Sequence, residues 1–403
     1  MEQLNTAVAA DSPTPVSDRP AARRYNRIRR WLGIADAIIG FLLLVVLLVT
    51  GWTGRLRDWS YHLGHQHYFL AVFLYVLMFS LIVKALSAPL DYFAFRLEHR
   101  YNLSNQKMRS WLWDELKGWL VGLVIGAIFV ELIYAIIRLA PQRWWIIAWA
   151  VFVGIFLLIV QLAPVVLFPL FYKFEPLNNN SLRERLTRLG ERAGTPVRGV
   201  YEWKLSEKSK KANAALMGIG RTRRIILADT MLENFTDDEI EAVLAHELGH
   251  HVRRHIVKGI LMQVGITFFG FWLTNEVLRF ALAHDWFPVL DRRLYDFANL
   301  PLIILVATVL GFLLMPALNA LSRQHEREAD LYAWESIPAI PPFVTAMSKL
   351  ADQNLVERTP SRLVEWFFES HPSIQKRVAA AEAWAQTPHQ VKNHHEPMEK
   401  YGS

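Results

Sequence analysis

Between residues 243 and 255 the sequence reads VLAHELGHHVRRH, with four histidines and one glutamate just ahead of a long apolar run. His246 and His250 are four residues apart, so on a helix they share one face. Two imidazoles at that spacing can chelate one Zn²⁺, and the neighbouring Glu247 can act as general base on a water molecule. This is the H-E-x-x-H arrangement of zinc metalloproteases. The helix it needs is encoded locally. Thr236-Asp-Asp-Glu239 is a capping box that starts a helix at about 237, and Ile240, Val243, Leu244 and Leu248 give it an apolar face. The competing reading is a surface helix with ordinary histidines. His251 and His255 read as part of a basic membrane flank.

A catalytic zinc usually takes three protein ligands and keeps one position open. The chain has no cysteine, so the third ligand must be a histidine or a carboxylate, and disulfides and thiol chemistry are excluded. The longer metzincin pattern fails, because Arg253 and Ile256 stand where it needs glycine and histidine. The segment NALSRQHEREADLYAW offers Glu326, Glu328 and Asp330. Glu326 and Asp330 share a helical face, so Glu326 can be the third ligand while Asp330, one turn on, orients a ligand or acts on the substrate. In isolation the acidic run also reads as a solvated turn.

What must bring 243–255 and 322–330 together is a membrane. The chain of 403 residues is 53% hydrophobic and has 15 Trp, which fits a membrane protein with aromatic belts. Six stretches are long enough to span a bilayer: 33–52, 69–89, 116–139, 144–171, 257–283 and 300–321. Two spans lie between the two candidate ligand segments, so the chain returns to the side it left. The basic segments RPAARRYNRIRRW and FRLEHRYNLSNQKMRSWLWDELKG, and the basic 173–256, put both termini and the catalytic segments in the cytoplasm. The connections 140–143 and 284–299 are short or near neutral and lie outside. The connection 53–68, with Arg55 and Arg57, fits this less well. The net charge of +7 is thereby assigned to topology and membrane lipid rather than to nucleic acid.

The expected fold is mainly α: a polytopic helix bundle of about six spans carrying a small cytoplasmic α+β zinc metallopeptidase module. Its parts are a disordered basic segment 1–30, four spans in 31–172, the module in 173–256, two spans in 257–321, a C-terminal catalytic segment 322–385 and a disordered tail 386–403. Within the module, SLRERLTRLGERAG reads as a helix, VRGVYEW and RRIILAD as strands, and ANAALMGIG as the end of a third strand. Four ionisable residues fall in the spans. Glu131 and Glu276 suggest a hydrated chamber, and Lys84 and Arg279 read as snorkelling to the interface.

These motifs together resemble the type I CAAX prenyl proteases, integral-membrane zinc metallopeptidases. HELGH is followed by SRQHEREAD, which matches the family pattern at Ser322, Arg323, Glu326, Ala329 and Asp330. PLDYFAFRLEHRYNLSNQ resembles the family's loop after an early span, and LFPLFYKFEPLNNNSL its entry to the catalytic module. The resemblance implies that Asn213 and Ala214 lie along the substrate backbone, although Ala215 replaces the family's aromatic residue there. From SHPSIQKR it implies His371 as an oxyanion stabiliser and Arg377 as a supporting charge at the substrate site. It covers roughly residues 33–385. Eukaryotic members have seven spans around a large water-filled chamber, whereas six are counted here, as if the first were missing.

The chemistry then expected is peptide hydrolysis. One Zn²⁺ would be held by His246, His250 and Glu326, with Glu247 as general base and Asp330 and His371 assisting. The partner is a peptide or protein substrate, lipidated or membrane-embedded, and the setting a bacterial inner membrane. Two rivals are a general membrane quality-control protease without a prenylated substrate, and a zinc transporter or scaffold. The spans show no His/Asp pair of the kind transport would use, and simple zinc binding has no need of Glu247.

Overall fold

A chain inside a bilayer must satisfy its own backbone N–H and C=O groups, which makes long helices of the apolar stretches. The computed structural model describes residues 19–218, 223–287 and 293–387. Among these, six helices are long and apolar enough to cross a membrane. In chain order α1 (Pro20–Val49), α2 (Trp52–Leu63), α3 (Tyr68–Arg100), α4 (Met108–Leu139) and α5 (Trp144–Leu162) come first. The module follows: β1 (Phe174–Pro176), α6 (Asn180–Arg192), β2 (Val200–Trp203), β3 (Ala214–Met217), β4 (Arg224–Ala228) and α7 (Asp229–Asn234). Then come α8 (Asp237–Val252), α9 (His255–Ala283) and α10 (Leu300–Ser336), and finally α11 (Pro341–Gln353), α12 (Arg362–Phe368) and α13 (Ile374–Gln386). The fold is thus a mainly helical membrane bundle with a small α+β module.

Several expected boundaries need correction. Residues 20–30 are not disordered but form the first turns of α1. Their charges have distant partners: Tyr25 and Arg29 bond to Glu98, Arg30 Nη1 lies 2.7 Å from Glu357, and Asn26 donates to the Leu355 carbonyl at 2.7 Å. The expected disorder of 1–18 and 388–403 lies outside the described residues. The connection 53–68 is largely the helix α2, entered through Gly51 in the left-handed conformation. Arg57 on it pairs with Asp296, and the Thr53 hydroxyl donates to the Ala298 carbonyl at 2.7 Å. One of the two charges that fitted poorly is therefore neutralised by the other connection at that end of the bundle, and Arg55 lies over the Trp52 ring at 5.0 Å. Beyond α5 the chain widens into a π-turn and then tightens into a 3₁₀ turn, where Pro164 and Pro169 each lack an amide hydrogen. No break separates 300–321 from 322–330, because α10 runs unbroken through both.

The charged residues in the spans are tied to partners. Lys84 Nζ lies 2.8 Å from Asp91 and 2.6 Å from Glu115, so it does not snorkel freely. Arg279 donates to the Pro141 carbonyl at 2.7 Å and to Asn275 at 3.1 Å, and so holds the α4–α5 turn. Glu276 accepts from Asn275 at 2.9 Å. Glu131 keeps one buried oxygen without a partner among the described residues.

The sheet order is β1-β2-β4-β3, with β2 and β4 parallel and the outer pairings antiparallel. β3 is therefore an edge strand among the described residues. β1, three residues long, was not foreseen, since it is too short to show an alternating pattern. The three longer strands fall within VRGVYEW, ANAALMGIG and RRIILAD. Leu186, Ile225, Leu227, Met231, Leu244 and Leu248 pack with Phe343 and Met347 into one core under α8. A second core, around Tyr75, Tyr134, Trp144 and Phe297, joins α3, α4 and α5 at the opposite end of the bundle.

Candidate metal centre

α8 starts as the capping box dictates, with the Thr236 side chain accepting from the Glu239 amide and Glu239 returning to the Thr236 amide. Its middle is buried from Glu239 to His246. It crosses α10 at very short range. A Cβ on Gly249 would stand 2.9 Å from Cα of Ala329 and 3.0 Å from its carbonyl oxygen. Only glycine permits that approach.

The crossing brings together His246, His250 and Glu326. Nε2 of His246 and Nε2 of His250 are 3.3 Å apart, and the Glu326 carboxylate faces both, Oε2 lying 3.3 Å from the first and Oε1 3.3 Å from the second. Donors 2.0–2.1 Å from a tetrahedral zinc are separated by about 3.3 Å, so the spacing matches the edges of a zinc tetrahedron. Two imidazoles and a carboxylate are a suitable donor set for that ion. Glu326 Oε2 is buried and faces imidazole nitrogens, with Nε2 of His246 at 3.3 Å and Nδ1 of His371 at 2.8 Å.

Each histidine is supported from behind. Nδ1 of His246 lies 2.9 Å from Oδ1 of Asp330. Arg377 in turn grips Asp330 with two bonds, Nε to Oδ2 at 2.8 Å and Nη2 to Oδ1 at 2.5 Å. Arg377 is only 8% exposed, so its guanidinium lies behind the donors rather than on an open substrate surface. On the other side, Nδ1 of His250 lies 3.0 Å from Nδ1 of His255, whose Nε2 lies 3.0 Å from Glu328 Oε2. His325 stacks on His255 with ring centroids 4.1 Å apart. His255 is buried at 5% exposure, which corrects its assignment to a solvated basic flank. Its role was hidden because Arg254 adopts a left-handed conformation (φ 57°) and turns the chain back into α9. A straight helical count from His250 cannot show that return.

The electrostatics favour positive charge at the donors. Burial alone would depress the His246 imidazole, but its bonds to Asp330 and Glu326 raise its pKa to about 9. Glu247, beside it, is pushed above the usual carboxylate range by burial, against the opposing pull of His246 and His250. His371 stands at the exposed side, its Nδ1 2.8 Å from Glu326 Oε2. Asn213 is exposed just before β3, its carbonyl accepting from Ala228 at 2.9 Å, and Ala214 begins the edge strand. The last turn of α8 touches this strand, since His251 Nε2 lies 3.4 Å from the Leu216 carbonyl. His246, Glu247, His250, Glu326, Asp330, His371 and Arg377 thus lie around the crossing, while Asn213 and Ala214 stand at the start of the neighbouring strand.

Comparison with known proteins gives this geometry a context. Residues 176–385 match Peptidase family M48, and residues 17–173 match the CAAX prenyl protease N-terminal model, described as five membrane helices. An uncharacterized metalloprotease of Bacillus subtilis is 32% identical, over 91% of this chain and 86% of that protein. CAAX prenyl protease 1 of Saccharomyces cerevisiae is 28% identical, over 75% of this chain and 70% of that protein. The crystal structure of S. mikatae Ste24p superposes with a TM-score of 0.81 at 24% identity, over 90% of this chain and 88% of that one, and shares the fold.

The paired supports predict how metal affinity responds to substitution. His255→Ala and Asp330→Asn should each weaken zinc binding by roughly 10–100-fold, as loss of a ligand's hydrogen-bond partner typically does. Competition with a chromogenic chelator on the purified protein measures this. Unchanged affinity in both variants would mean that neither pair orients a ligand.

Proposed function

Since the chain belongs to Peptidase family M48 and is a membrane metalloprotease, we propose that it hydrolyses peptide bonds with one zinc ion held by His246, His250 and Glu326 and with Glu247 as general base. The observation that carries this reading is the close group of His246, His250 and Glu326, with each pair of side chains 3.3 Å apart, beside a carboxylate of raised pKa. When bound, zinc would supply Lewis-acid stabilisation of the scissile carbonyl and lower the pKa of water toward neutrality.

The rest of the chemistry falls to side chains of this chain. Glu247 takes a proton from the attacking water on its carboxylate and delivers it to the leaving amine. A carboxylate with raised pKa is suited to both transfers. His371, on the exposed side of Glu326, donates to the oxyanion as the tetrahedral species forms. Asp330 fixes the His246 ring so that Nε2 faces the donors, and Arg377 fixes Asp330, so Arg377 acts by positioning. The substrate backbone lies extended beside Asn213 and Ala214, adding a strand to the edge of the sheet.

For the substrate class we take the relatives' name as the guide: a CAAX-like peptide or protein segment, lipidated or embedded in the membrane. The compartment proposed is a bacterial inner membrane with the donors on the cytoplasmic side, as the Lys and Arg bias indicates.

Two experiments test this. Glu247→Gln should keep its zinc and lose cleavage of a quenched fluorescent peptide by at least ~10²-fold, because an amide cannot accept the water proton. Near-normal turnover would remove Glu247 from the mechanism. The sidedness can be read by single cysteines, as the chain has none of its own. A membrane-impermeant maleimide on intact cells should label His284→Cys and spare Arg253→Cys and Gln324→Cys. The reverse pattern would put the donors outside.

A further inference from the structure

Behind Asp330 and Arg377, between α10, α12 and α13, lies a second cavity of about 590 Å³. Its charged lining is Arg323, Arg327, Arg362, Lys376 and Arg377 against Asp330 and Glu365, with Trp334 and Trp366 beside them. Its positive charges are unequally compensated. Lys376 pairs with Glu365 at 2.5 Å, and Arg377 is taken by Asp330. Arg323 spends its hydrogen bonds on two neutral groups, the carbonyls of Glu365 at 2.8 Å and Glu369 at 2.6 Å. Arg327 and Arg362, both exposed, have no ion-pair or hydrogen-bond partner among the described residues. Three arginines without an ion-pair partner among the described residues therefore line one cavity, which favours an anion, and phosphate above all.

The surroundings indicate which anion. α12 presents Leu363, Trp366 and Phe368 to the outside at 77%, 54% and 41% exposure. Its next residue inward, Phe367, packs on Phe312 in the apolar part of α10, with ring centroids 5.2 Å apart. Asn319 anchors the same turn by donating to the Phe367 carbonyl at 2.5 Å. Arg323 and Arg327 follow within two turns on α10. The helix thus leaves the apolar region just where the arginines begin, which is the level of lipid headgroups. A soluble anion would need the arginines only. It would leave the leucine, tryptophan and phenylalanine beside them in water.

We propose that this cavity binds the phosphate of an anionic phospholipid, its acyl chains lying along Leu363, Trp366 and Phe368. The binding does not depend on the peptidase reading, although the cavity shares Asp330 and Arg377 with the support of His246. A charged group near the surface of a membrane typically contributes enough that removing two arginines lowers the preference for anionic lipid by roughly tenfold or more.

The test uses the full-length protein reconstituted in phosphatidylcholine vesicles containing about a fifth phosphatidylglycerol, read by native mass spectrometry of the lipid retained. The wild-type protein should retain phosphatidylglycerol in preference to phosphatidylcholine. The double variant Arg327→Gln/Arg362→Gln should lose that preference by roughly tenfold, and Arg327→Lys/Arg362→Lys should keep most of it. The lysine variant, with its charge intact, separates loss of binding from loss of folding. Equal retention in the wild-type protein and the glutamine variant would overturn the proposal. So would displacement of the lipid by millimolar inorganic phosphate, which would make this a soluble-anion site. Displacement by an acidic peptide would reassign the cavity to a protein segment and overturn the lipid assignment as well.

Discussion

The crossing of α8 and α10 at Gly249 and Ala329 sets everything at the metal centre. The two histidines come from one helix and the glutamate from the other. Donor atoms 3.3 Å apart require the two backbones to be almost in contact. The glycine of HELGH supplies that contact, since any side chain at 249 would meet the Ala329 backbone at 2.9 Å. Its place in the motif is therefore steric, while the proposed chemistry rests on the histidines and glutamate around it.

From that crossing the supports follow in order along α10. Glu326 faces the donors, Glu328 reaches His255, and Asp330 reaches His246. One helix thus provides the proposed third ligand, the outer partner of His246 and, through His255 of α9, the end of the chain that supports His250. The membrane has a part in this, because α10 is continuous from its span into the module and α9 enters its span directly after His255. The spans fix where the two ends stand, and the buried hydrogen bonds fix how the rings face. An arrangement prepared in this way loses little freedom on binding metal.

Much of this was legible in the sequence because it is local. The capping box and the four-residue spacing of the histidines define α8, and two spans between the ligand segments require that they meet on one side. What was hidden depends on distant partners or on an unusual backbone. His255 looked like a solvated basic residue because the left-handed Arg254 turns it back onto His250. Residues 20–30 looked disordered because their acidic partners, Glu98 and Glu357, are far away in the chain. The acidic run after 321 looked separable from the span, yet it continues the same helix and packs against α8. Arg57 seemed misplaced until Asp296 was found beside it.

The most direct test of this account is the metal content and thermal stability of Gly249→Ala. In an ordinary helix the change from glycine to alanine stabilises by about 1 kcal/mol. Here the account predicts the opposite sign: a loss of about 1–3 kcal/mol from overpacking, with zinc lost as the donors are pushed apart. A variant that melts higher than the wild-type protein and retains one full equivalent of zinc would contradict the central role given to the crossing.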